Sequence, residues 1–88
     1  MSIGNVRTST LFERHYRKLP EMVKEAAKEK EKIFRQNPRH PSLDTHKLHG
    51  KDRDLFAFWI DRKYRIKFVF LRGDTVLFLD IGTHDIYS

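Results

Sequence analysis

Two side chains in this 88-residue sequence are of types that act on phosphates and lie where a fold can hold them still, Arg65 and His84. Arg65 falls inside Tyr64-Arg-Ile-Lys-Phe68, a run that alternates at strand period. A guanidinium projecting from a rigid strand is a planar fork that suits a phosphate. Lys67 lies two residues on, on the same strand face, and adds a second positive charge. Cross-strand pairing, for instance with Asp80, is the competing reading of these cations. His84 follows Gly82-Thr83 after the last apolar run, and an imidazole exchanges protons near neutral pH. Tyr87 comes three residues later, and its phenol can donate to a phosphate or stack on a base. A His and a Tyr that cap a sheet edge are the plainer reading.

His46 and His49 bracket Lys47-Leu48. A His-x-x-His pair suggests zinc, but no third ligand is evident nearby and no Glu stands between them, as a metalloprotease helix requires. Together with Lys47, Lys51 and Arg53 they fit an RNA-facing basic loop better. In an extended segment the two histidines fall on different faces, so one of them at most meets a substrate. Trp59 is a base-stacking candidate, though a tryptophan here is more often a packing residue. The sequence holds no Gly-rich phosphate loop, no Gly-x-Ser-x-Gly and no paired carboxylates, and Asp52 and Asp54 read as loop solvation.

Cysteine is absent, which excludes a disulfide scaffold, a thiolate metal site and a Cys nucleophile. No apolar run approaches the ~20 residues of a membrane span, and the first residues lack the pattern of a secretion signal, so the expected address is the cytoplasm. The length allows one domain, residues 1–88, with one core. The net charge is +6, unevenly spread. Residues 1–37 carry nine Lys/Arg and five Glu; residues 38–72 carry nine Lys/Arg and four Asp; residues 73–88 carry three Asp and no base. A basic central segment containing His40, His46 and His49 and interleaved with aromatics fits a polyanion, while a solvated basic surface accounts for the charge equally well.

The elements that must position these groups follow from periodicity. Ile3 to Arg7 can form a short first strand. Thr10-Leu-Phe-Glu13 reads as a capping box, with Leu11, Phe12, His15, Tyr16 and Leu19 on one helical face. Pro20 separates this helix from a second, Glu21 to Gln36, whose apolar stripe is Met22, Val23, Ala26, Ala27, Ile33 and Phe34. Its Glu/Lys pairs make a solvated outer face, and Asn37-Pro38 ends it. Residues 38–54 read as a loop with a short strand near Lys47–His49. Leu55 to Ile60, Tyr64 to Leu71 and Val76 to Ile81 are strands, the last two joined by a tight turn at Arg72-Gly73-Asp74. The expected fold is α+β, in the order β-α-α-β-β-β: an antiparallel sheet with both N-terminal helices on one face. The other face is left to Arg65, Lys67 and Asp80, mixed with aliphatic neighbours.

Nearly the whole chain resembles the RelE/ParE superfamily of toxin–antitoxin toxins, most closely its RelE, YafQ and YoeB side. The residues that carry the resemblance are Phe12-Glu-Arg-His-Tyr-Arg-Lys-Leu19, Asn37-Pro38, His46-Lys-Leu-His-Gly50, Tyr64-Arg-Ile-Lys-Phe68 and Ile81-Gly-Thr-His-Asp-Ile-Tyr87. The resemblance implies a small basic toxin that cleaves mRNA, usually on the ribosome, and is silenced by a cognate antitoxin in a hetero-oligomer. It matches Arg65 to the strand arginine that holds the scissile phosphate and His84 to a C-terminal acid or base. It places Tyr87 near a terminal aromatic and His46 at a loop histidine of YafQ-like members. Trp59 stands near a position where those members keep another histidine, and the Glu base of YoeB-like members has no evident counterpart. The implied reaction is metal- and cofactor-independent attack of an RNA 2′-OH, with Lys47, His49, Lys51, Arg53 and Lys67 as RNA contacts. ParE-like relatives instead poison gyrase without cutting RNA, and an inactive antitoxin-binding remnant is the third alternative.

Overall fold

Apolar side chains at Val76, Phe78, Phe68 and Phe58, with Val6 beside them, form the core of the sheet face that the helices cover. The computed structural model describes residues 2–49 and 54–87, with the side chain of Tyr87 outside that description. The elements in chain order are β1 (Asn5–Thr8), α1 (Thr10–Arg17), α2 (Glu21–Gln36), a 3₁₀ turn (Pro41–Leu43), β2 (His46–Lys47), β3 (Phe56–Trp59), β4 (Arg65–Phe70), β5 (Thr75–Gly82) and a C-terminal 3₁₀ turn (His84–Tyr87). The strands form one sheet in the order β1-β5-β4-β3-β2. Among the described residues no helix is long and apolar enough to cross a membrane.

The α+β order is as the periodicity predicts, and α2 has the expected bounds. The sheet is mixed, however, not purely antiparallel. β2 to β5 pair antiparallel, while β1 lies parallel to β5, with Val6 opposite Val76. A parallel neighbour requires a long crossover, and here the whole chain between β1 and β5 supplies it.

Local chemistry sets the helix ends. The N-cap of α1 is Ser9, not Thr10: its Oγ accepts from the Phe12 amide at 3.0 Å and donates to the Leu79 carbonyl at 2.7 Å. That second bond couples the cap to β5, a tie that no local motif reveals. Glu13 accepts from the Thr8 hydroxyl instead of reaching back to the cap. Helix α2 starts at Pro20, whose carbonyl accepts from Val23 and Lys24. It stops at Asn37, whose side chain caps the Arg39 amide at 3.0 Å, with Pro38 buried behind it. Its buried stripe, Val23, Ala27 and Phe34, is narrower than the sequence pattern suggests, and Met22 is 83% exposed.

Phe34 joins helix to sheet. Its ring lies 4.6 Å from Phe58, 4.9 Å from Phe68 and 5.7 Å from Phe78, and all four side chains are essentially inaccessible. Each such pair contributes about 0.5–1.5 kcal/mol beyond area burial. This cluster packs α2 onto one face of the sheet.

The alternation along β5 is interrupted. Lys67 pairs with Asp80 but Phe68 pairs with Phe78, so Leu79 is an extra residue, a β-bulge. Asp80 does not serve the open face with Arg65 and Lys67, as alternation implied. It is 8% exposed, and its Oδ1 lies 2.6 Å from His15 Nδ1 on α1 and accepts from the Ile81 amide at 2.7 Å.

Candidate functional site

The helix-free face near the end of β4 gathers groups from four parts of the chain. One rung of the sheet is Trp59–Arg65–Gly82, and the next rung on the same face, two residues along, holds His46, Ala57 and Lys67. Residues paired across strands share a face, so Trp59, Arg65 and His46 are brought together by register alone. The C-terminal turn then folds back over Gly82, where a Cβ would meet Ile86 Cγ2 at 2.8 Å. Lys67 Nζ donates to the Ile86 carbonyl at 3.1 Å and ties that turn down. The result is a shallow hollow of about 240 Å³ lined by Asp44, His46, Trp59, Arg65 and His84.

Arg65 is tightly held. Its guanidinium carbon stands 4.2 Å from the centroid of the Trp59 ring. Nη1 donates to the Asp61 carbonyl at 2.7 Å and to the Tyr64 carbonyl at 3.1 Å. The β3–β4 connection that offers these carbonyls is itself braced by Asp61, whose Oδ1 accepts from the Lys63 and Tyr64 amides, both at 2.8 Å. Among the described residues Nε and Nη2 of Arg65 have no acceptor, so that edge of the fork can take a phosphate.

His46 is oriented by a backbone carbonyl. Its Nδ1 lies 2.8 Å from the Asp44 carbonyl, which can only accept, so Nδ1 carries a proton toward it. Asp44 presents that carbonyl from a left-handed conformation, φ 47°, at the end of the Pro41–Leu43 turn. Aspartate tolerates this region better than most residues. His40 is used differently: its ring accepts from the Ser42 amide at 3.1 Å and caps the same turn.

The predicted residues thus divide. Arg65, His46 and His84 line one hollow, with Trp59 and Asp44. Lys47 and His49 are exposed and border a neighbouring hollow with His46 and Leu48. Lys67 tethers the C-terminal turn. Lys51, Arg53 and Asp52 lie outside the described residues, as does the Tyr87 side chain. Among the described residues no three His, Asp or Glu side chains cluster as a metal site. The sequence reading missed Asp44 and Asp61, and it missed that Trp59 plates an arginine. The short span between Trp59 and Arg65 was the available signal, since a tight connection there makes them cross-strand neighbours.

No protein-family model and no curated protein matches the chain. Solved structures do. The RelBE2 toxin–antitoxin complex of Mycobacterium tuberculosis contains a chain with a TM-score of 0.79 at 20% identity, the match covering 96% of this chain and 100% of that one. A YoeB/ParE toxin from Agrobacterium tumefaciens gives 0.78 at 10% identity, covering 92% and 99%. The archaeal RelE–RelB complex of Pyrococcus horikoshii gives 0.73 at 18% identity, covering 94% and 96%. The chain has the RelE/ParE toxin fold. In this RelE-like fold the hollow described above lies on the sheet face that α1 and α2 leave uncovered.

Proposed function

We propose that this protein is the toxin of a toxin–antitoxin pair and acts as an endoribonuclease on mRNA, in the cytoplasm and on the ribosome. The observation that carries the reading is the convergence of Arg65, His46 and His84 on one exposed hollow, each from a different element. The likeness to RelE- and YoeB-type toxin chains supports it at the level of fold. Lys47, His49, Lys51, Arg53 and Lys67 are proposed to contact RNA.

The reaction needs no external nucleophile. The ribose 2′-OH attacks the adjacent phosphorus, and the bond to the 5′-oxygen of the next nucleotide breaks. His46 takes the 2′ proton. The free edge of the Arg65 fork meets the phosphoryl oxygens where negative charge accumulates, the term that usually dominates such catalysis. His84, or Tyr87 of the same turn, delivers a proton to the departing oxygen. The products are a 2′,3′-cyclic phosphate and a 5′-hydroxyl. So few groups suffice where a ribosome orders the mRNA, since positioning alone supplies several orders of magnitude.

A cognate antitoxin is the expected partner, because an uncontrolled mRNA nuclease is lethal to its host. The test is induced expression of wild type beside Arg65→Ala and His84→Ala, scoring growth and transcript breaks by primer extension, with a gyrase supercoiling assay in parallel. Transcript breaks that disappear in both variants support the reading. Inhibition of supercoiling with intact transcripts replaces it with gyrase poisoning, and no toxicity in either assay leaves an antitoxin-binding remnant.

A further inference from the structure

Trp59 touches the group that would hold the phosphate, yet the chemistry above gives it no task. Its indole stacks on the Arg65 guanidinium at 4.2 Å, and the two residues are directly paired between β3 and β4. Arginine side chains on a surface ordinarily sample many rotamers, and a planar cation over a planar ring loses most of that freedom. Here the stack is supplemented at one corner only. Nη1 is taken by the carbonyls of Asp61 and Tyr64, while Nε and Nη2 have no acceptor among the described residues. A ring below and two carbonyls at one corner define both the plane of the guanidinium and its rotation within that plane. What remains is a two-pronged edge of fixed direction.

We propose that Trp59 is a positioning residue: it sets the plane of Arg65 so that Nε and Nη2 meet two oxygens of a single phosphodiester in RNA. The inference rests on the ribonuclease reading and deepens it. It also separates two roles for the tryptophan. One face of the indole is committed to the guanidinium, so Trp59 acts through Arg65 and not as a platform for a base on that face. The neutral acceptors matter as well: carbonyls restrain the fork without cancelling its charge, and the ring does the same.

The test uses the full-length protein in a cell-free translation reaction with a reporter transcript. Trp59→Leu is expected to lower the cleavage rate about tenfold, the scale of one cation–π contact, while Trp59→Phe, which keeps a flat face, stays within about threefold of wild type. In an Arg65→Lys background Trp59→Leu is expected to cost nothing further, because the residue it positions has gone. A purely structural tryptophan would cost the same in both backgrounds, and that result overturns the proposal. Trp59 is the protein's sole tryptophan, so its fluorescence reads the stack without RNA. Arg65→Ala is expected to increase acrylamide quenching; unchanged quenching overturns the proposal even if Trp59→Leu fails to fold. If the wild-type protein cuts no transcript, the ribonuclease reading fails and takes this inference with it. If wild type cuts and Trp59→Leu cuts equally well, only the inference fails.

Discussion

Gly82→Ala should separate the placement of His84 from the stability of the fold. A Cβ at position 82 would lie 2.8 Å from Ile86 Cγ2. Carbon atoms rest at about 3.5–4.0 Å, so the contact must open by roughly 1 Å. Gly82, the last residue of β5, is paired with Arg65 of the central strand β4, whereas Ile86 sits in a four-residue turn. The turn therefore yields, and His84 moves with it. Displacing a catalytic group by 1 Å costs on the order of 10²-fold in rate. The stability cost is smaller: about 1–3 kcal/mol for overpacking, plus about 1.5 kcal/mol if the Lys67–Ile86 carbonyl bond is lost. A chain of this length has about 4–13 kcal/mol to lose, so over most of that range the population stays folded. Transcript cleavage and thermal melting, measured on the same preparation, should show a rate loss far larger than the shift in melting implies. Ile86→Ala on top of Gly82→Ala removes the clashing methyl and should restore most of the rate. Wild-type cleavage by Gly82→Ala, or a double variant as poor as the single one, would refute the reasoning.

Phe34→Ala removes the ring that contacts Phe58, Phe68 and Phe78 and should cost about 3–5 kcal/mol, a fall in melting temperature of more than about 12 °C by circular dichroism. Asp61→Ala strips the acceptor from two amides and loosens the carbonyl that holds Arg65. It should lose about 1–3 kcal/mol in urea denaturation and a larger share of cleavage, with Asp61→Asn recovering much of both. Asp44→Asn keeps a residue suited to φ 47° and keeps the carbonyl that orients His46, while removing the carboxylate beside the hollow. It should tighten RNA binding a few-fold at low salt, and the gain should vanish near ~1 M salt; a gain that persists there would disprove an electrostatic origin.

Helix α2 was readable because its signals are local: Pro20 before it, Asn37-Pro38 after it, and Phe34 on the inner face. The alternation of β4 was readable for the same reason, and it places Arg65 and Lys67 opposite Ile66 and Phe68. Contacts that join distant segments were not readable. Nothing near Val6 states that its neighbour is Val76, and nothing near Ser9 states that its hydroxyl binds the Leu79 carbonyl. Asp80 was misplaced because strand alternation assumes no bulge, and Leu79 is one. The site was partly legible: Arg65, His46 and His84 were singled out by residue type, but their meeting depends on the register of three strands and on the return of the C-terminal turn over Gly82.

Arg65, Lys67 and His46 share one kind of tether. Arg65 is held by the Asp61 and Tyr64 carbonyls, Lys67 by the Ile86 carbonyl, and His46 by the Asp44 carbonyl. Carboxylates meet some bases elsewhere: Asp80 takes His15, Glu31 takes Arg35 and Glu29 takes Lys32. A carboxylate tether would fix a cation equally well but would neutralise it, and an incoming phosphate would have to displace that partner. A carbonyl fixes geometry and leaves the formal charge in place. The cost of orienting these side chains is thus met during folding, and their attraction for an anion is kept for the substrate. That arrangement is what electrostatic catalysis requires, because donors already aimed at the developing charge need no reorganisation at the moment of reaction.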